Sequence, residues 1–141
     1  MTTTVHSIFA DSVQKAEAWV NDMMEELNLH DPHRACSIVR GVLHALRDRL
    51  TPEEAVQLAA QMPEVIRGMY FEGWKIHGKP IKMRHKQEFL DHALHHARIE
   101  MGTELEPAIR GVFRMLSRRI SEGEITDIVR TLPEELRELW P

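Results

Sequence analysis

The sequence predicts an all-α protein: a compact helical bundle of two pseudo-symmetric repeats, about four helices each. Three observations carry this. Apolar residues recur at spacings of three and four along most of the chain, the period of one helix face. No stretch alternates apolar and polar residues between turn signals as a half-buried strand would. The chain also matches itself at an offset of 70 residues, where Ile38–Phe71 lies on Ala108–Pro141 without a gap. The identical pairs are Arg40/Arg110, Gly41/Gly111, Val42/Val112, Leu46/Leu116, Arg49/Arg119, Glu54/Glu124, Pro63/Pro133, Glu64/Glu134 and Arg67/Arg137. Such a period is too long for a solenoid, and two copies point to a pseudo-twofold pair sharing one core.

The elements follow in order. The first helix is expected over about Asp11–Leu29, with Val13, Ala16, Trp19, Val20, Met23 and Leu27 on one face. Asp31-Pro32 opens the second, an N-cap acceptor with proline in the first position. It carries Ala35, Ile38, Val39, Val42, Leu46 and Leu50. Thr51-Pro-Glu-Glu54 opens the third as a capping box: the threonine takes the N3 amide and Glu54 reaches back. The fourth begins at Pro63 and ends in Tyr70-Phe71. The second copy repeats the plan over about Lys86–Met101, Leu105–Ile120, a helix opened by Ser121-Glu-Gly-Glu124, and one from Pro133 to Trp140. Between the copies, Lys75–Lys86 holds five basic residues, no acid, Gly78 and Pro80. The divisions are therefore repeat one 11–74, a solvated linker 75–84 and repeat two 85–141, within a single domain. Gly41 and Gly111 interrupt helical patterns at a cost of about 1 kcal/mol each against alanine. A close helix crossing explains both.

Composition narrows the function. The chain has 141 residues, 43% hydrophobic and 28% charged, which is ordinary globular material. One cysteine excludes an internal disulfide and any cysteine-rich zinc site. No apolar run is long enough to span a membrane. The start, Met1-Thr-Thr-Thr-Val-His6, shows neither a basic n-region nor an apolar h-region, so no signal peptide is expected. A net charge of −4 argues against a nucleic-acid partner. Nine histidines are the oddity.

The stretches Val42-Leu-His-Ala-Leu-Arg-Asp-Arg-Leu50, Ala60-Gln-Met-Pro63 and Ile66-Arg-Gly-Met-Tyr-Phe-Glu-Gly-Trp74 resemble a family of small, mostly bacterial tandem-repeat proteins of unknown function. Val112-Phe-Arg-Met-Leu116, Ile120-Ser-Glu-Gly-Glu124 and Leu136-Arg-Glu-Leu-Trp-Pro141 resemble it again. The resemblance implies an all-helical, cytoplasmic, bacterial protein. It implies no activity, cofactor or catalytic residue.

Two histidine clusters are candidates for metal. His92, His95 and His96 lie with Glu88 and Asp91 on one helix, at spacings that share a face. Imidazole and carboxylate together suit transition metals, but one helix supplies too few ligands and a second must complete the shell. Without it, the face is a solvated polar stripe. His30, His33 and Cys36 form the second cluster, near a helix start that favours thiolate. Neither recurs in the other copy. Thr103 and Glu106 stand opposite His33 and Cys36, while Asp22, Glu25 and Glu26 stand opposite His92, His95 and His96. The recurring arginines and Glu54/Glu124 suggest Arg–Glu pairs tying the second helix to the third and fourth. Tyr70, Phe71 and Trp74 either pack the seam between repeats or anchor a partner.

No phosphate loop, nucleophile elbow or kinase signature is present, so no catalytic residue is expected. The expected function is a non-enzymatic protein-binding or regulatory module without a cofactor, its partner a protein or a second copy of itself. The alternative is a histidine-based transition-metal protein.

Overall fold

A computed structural model describes residues 4–102 and 104–141. Among them are eight α-helices and no strand. They are α1 (Val5–Leu27), α2 (Pro32–Arg49), α3 (Pro52–Ala59), α4 (Glu64–Phe71), α5 (Lys86–Ala97), α6 (Leu105–Arg119), α7 (Glu122–Thr131) and α8 (Glu134–Arg137). None is long and apolar enough to cross a membrane.

Local chemistry sets the boundaries. α1 begins at Val5 rather than near Asp11, because Thr4 and Ser7 form a reciprocal capping box ahead of the apolar stripe. It ends where Asn28 turns left-handed at φ 53°. α5 stops at Ala97, short of the expected Met101, because Arg98 takes φ 57°. Thr51 and Ser121 each accept from the N3 amide, at 3.3 Å in both cases. The expected return bonds from Glu54 and Glu124 are not made, so neither cap is a reciprocal box, and the Ser121 N–H donates to Gln61 at 2.8 Å instead. α8 is a single turn, shorter than its expected extent to Trp140, and Trp140 stacks on Phe113 with centroids 4.0 Å apart. Thr103, which stands opposite His33, lies outside the described residues.

α2 is the central rod. Every residue from Gly41 to Asp48 is buried, and α1, α3, α4, α5 and α6 pack around it. The basic segment after α4 is pinned to its end rather than free. Ile81 N–H donates to the Asp48 carbonyl at 2.7 Å, Arg49 Nε donates to the Met83 carbonyl at 2.9 Å, and Met83 is buried. Of the recurring arginines, Arg40 on α2 makes an expected kind of pair, with Glu72 at the end of α4 at 3.8 Å, while Arg67 and Arg137 work differently. Arg67 donates to the carbonyls of Ala59 and Met62, and Arg137 to those of Leu132 and Arg130, so each caps the end of the preceding helix.

The two helical glycines mark close crossings. A Cβ at Gly41 would strike the Ala93 carbonyl and would lie 2.7 Å from Ala97 Cβ on α5. A Cβ at Gly111 would strike Leu27 on α1. Gly68 on α4 meets nothing within 4 Å. Gly41→Ala is therefore expected to lose about 1–2 kcal/mol, overpacking outweighing the gain in helix propensity. Gly68→Ala is expected to gain about 0.5–1 kcal/mol. Urea unfolding of the two variants checks this, and equal effects would contradict it.

Candidate functional site

The close approach at Gly41 brings the polar side of α5 against α2. One and two turns beyond Gly41, α2 carries His44 and Asp48, with Arg47 between them. α5 carries His92 and His96 beside Ala93 and Ala97. Among the described residues, His44, Arg47 and Asp48 are the buried polar or charged ones.

Arg47 spreads its donors widely. Nε and Nη2 fork onto Asp48, at 2.9 Å to Oδ1 and 3.3 Å to Oδ2. Nη1 donates to the Tyr70 and Glu72 carbonyls at 2.9 and 2.8 Å. Asp48 Oδ2 also meets His92 Nε2 at 2.8 Å and lies 3.9 Å from His96 Nε2. His96 Nδ1 meets His44 Nδ1 at 3.0 Å, and His44 Nε2 meets the Met69 carbonyl at 2.7 Å.

The proton positions of the neutral rings follow from the carbonyl. Met69 oxygen only accepts, so His44 Nε2 carries the proton and its Nδ1 accepts. His96 Nδ1 must then donate, which leaves the His96 Nε2 lone pair facing Asp48. Burial favours these neutral rings. It lowers His44, and together with the neighbouring imidazoles of His92 and His44 it lowers His96 to about 4. Burial alone would raise Asp48. The hydrogen bonds and charges of His92 and Arg47 outweigh it and hold the carboxyl at about 2. Asp48, His92 and His96 thus offer one carboxylate oxygen and two ring nitrogens, all within 4.8 Å of one another.

The other candidates sit apart. His95 is exposed, and Asp91 accepts from Gln87 at 2.8 Å, so that side of α5 is the solvated stripe. His30 and His33 are exposed and Cys36 is half-buried. Among the described residues, Asp48, His92 and His96 are the group whose donors converge, and the His30–His33–Cys36 set does not. Tyr70 is fully buried, with its hydroxyl donating to the Ala55 carbonyl at 3.0 Å, so it offers a partner nothing. Phe71 and Trp74 are half-buried and pack together at 5.1 Å. Sequence reasoning missed His44, Arg47 and Asp48. Their signal was three polar residues interleaved with the apolar positions of the stretch Val42–Leu50.

A family model for an uncharacterized conserved protein, DUF2267, matches residues 16–139. The chain belongs to this family. No curated protein matches it.

Acid acts on this cluster through Asp48, His96 and His44. Asp48 titrates near 2 in the fold against 3.8 ordinarily, so its contribution is complete above about pH 4 and lost as pH falls toward 2. His96 titrates near 4 against 6.5, and its neutral form suits the fold, so stability drains as pH falls from 6.5 toward 4. His44 shifts in the same direction. The melting temperature of the metal-free chain is therefore expected to fall steadily from pH 7 to 4. His96→Gln should flatten that part of the profile, and an unchanged slope would contradict the assignment.

Proposed function

We propose that the chain is a transition-metal-binding protein whose site is Asp48, His92 and His96. The observation that carries this is the convergence of a second helix's carboxylate on the α5 histidines, which the sequence left as the missing requirement. Two imidazoles and a carboxylate suit zinc, iron, nickel or cobalt. Ligands bonded at about 2.0–2.2 Å to a tetrahedral ion lie roughly 3.4 Å apart. The 2.8 Å and 3.9 Å separations from Asp48 Oδ2 bracket that spacing. The surrounding bonds are those a metal site uses to orient its ligands: Arg47 on the carboxylate, and His44 on the far nitrogen of His96.

This reading takes the protein as a binder rather than an enzyme, since its sequence carries no catalytic motif. It keeps a bacterial cytoplasmic setting, on the family resemblance. It also takes the fold as a duplicated unit with its first helices exchanged. His92, His96, Asp48 and His44 match Asp22, Glu26, Arg118 and Arg114 at the 70-residue offset. Asp48 meets His92, and Arg118 meets Asp22 at 2.6 Å. His44 meets His96, and Arg114 bonds Glu26. Gly41 faces Ala97, and Gly111 faces Leu27. The α2–α5 and α6–α1 crossings thus share one pattern of contacts.

Protein expressed without an affinity tag and stripped of metal should take up about one zinc or cobalt ion per chain, with a visible cobalt band of a nitrogen–oxygen site. His92→Gln and His96→Gln should each weaken binding at least about 10-fold, and His30→Gln should not. Uptake below about a tenth of an ion per chain overturns the proposal.

A second reading, self-association, rests on a different surface. Val5, Phe9 and Val13 continue the stripe of Ala16 and Val20 and are 72%, 57% and 44% exposed. Beside them lies an apolar groove walled by Val13, Ala16, Val20, Cys36, Val65 and Met69. Ridge and groove share one helix face, so a second copy around a twofold axis fills each groove with the other's ridge. Sedimentation should show a concentration-dependent dimer that Phe9→Asp abolishes. A monomer at all concentrations contradicts this reading.

A further inference from the structure

Beside the histidine cluster, a pocket of about 220 Å³ opens between the end of α5 and the turn after α4. Its walls are Arg40, His44, Glu72, Gly73, His96 and Arg98. We propose that this pocket binds a small oxyanion, the carboxylate or phosphate group of a small molecule, through the guanidinium groups of Arg40 and Arg98. The proposal stands whether or not a metal occupies the neighbouring triad.

Three observations support it. First, one donor is left without a hydrogen bond. Arg40 Nε is buried without a hydrogen-bond partner, and Glu72, its ion-pair neighbour, stands 3.8 Å away, beyond hydrogen-bond reach. A buried charged donor left unsatisfied is costly unless something else occupies it. Second, Arg98 sits at an awkward backbone position. It caps α5 in the left-handed region at φ 57°, where glycine or asparagine is the usual residue. A long cationic side chain held there at the expense of backbone strain lines the pocket rim. Third, the other walls leave the task to the arginines. The two imidazoles spend their facing nitrogens on each other, and His44 spends its second on Met69.

The lining carries two cations against one carboxylate, so an anion is favoured. The planar fork of a guanidinium matches the two oxygens of a carboxylate or phosphate. The volume is below that of pockets for drug-sized ligands, which confines the occupant to a small molecule. Glu72, at the same wall, accepts from any hydroxyl or ammonium the ligand carries.

The test is a titration of metal-free protein with inorganic phosphate and, separately, with oxalate, followed by amide chemical shifts. Saturable binding of at least one is expected, with shifts centred on Arg40, Gly73, His96 and Arg98. The two titrations distinguish a phosphate site from a carboxylate site. Arg98→Gly separates binding from folding, since it removes the guanidinium while relieving the left-handed strain. It should melt at or above the wild-type temperature and bind at least 10-fold more weakly. Arg40→Gln should also weaken binding, and Arg130→Gln on the exposed side of α7 should not. Non-saturating shifts for both anions overturn the proposal, as does wild-type affinity in Arg98→Gly.

Discussion

The structure depends on how closely α2 and α5 approach. Their separation at Gly41 leaves no room for a methyl group, because the Ala93 carbonyl and Ala97 already occupy that space. Close approach brings van der Waals contact between backbones, and it fixes the register of one helix on the other. Once Gly41 is set against Ala93 and Ala97, His44 and Asp48 have no choice but to face His92 and His96. The polar cluster is thus a consequence of the crossing, held at the depth that the two alanines permit.

Charge inside that crossing is balanced locally. Asp48 is buried, and an isolated carboxylate there would be costly. Arg47 and His92 supply its partners, and the remaining Arg47 donor ties the chain after α4 to the same point. Ile81 closes the arrangement from the other side by donating to the Asp48 carbonyl. Elements distant in sequence meet at two consecutive residues of α2. The histidines, the turn at Glu72 and the basic segment are therefore mechanically connected, and a change at one is felt by the others.

Much of the fold was legible because its signals are local. The 3.6-residue stripes, Thr51 and Ser121 as caps, and Asp31-Pro32 as a helix start depend only on neighbours in sequence. Gly41 and Gly111 were legible as crossings, since a glycine inside a helix demands a packing reason. Two of the misplaced ends, the C-termini of α1 and α5, have a common cause. Asn28 and Arg98 stop their helices in the left-handed region, and Arg98 is not a residue from which that is read. The site was half legible for a related reason. Spacing showed which α5 histidines share a face, but not that α2 would bury His44, Arg47 and Asp48 opposite them. Histidine content alone overstated His30, His33 and His95, which are exposed.

The α6–α1 crossing, the counterpart of α2–α5 under the proposed duplication, offers a comparison. There, ordinary ion pairs close the contact: Arg118 on Asp22 and Glu26, Arg119 on Asp22, and Arg114 on Glu26. These pairs are substantially exposed on the arginine side, and such pairs contribute little to stability. The α2–α5 crossing reverses the placement, with the carboxylate on α2 and imidazoles on α5, and it buries the carboxylate. Burying an ionic cluster is no more stabilising than packing apolar residues of the same size, and is often less so. Stability alone therefore gives no reason to prefer the buried histidine arrangement. What the histidine version adds is lone pairs: a neutral His96 whose free nitrogen points at a carboxylate rather than at a donor. Two acceptors that face each other repel, and under the proposed metal reading a cation between them would offset that repulsion.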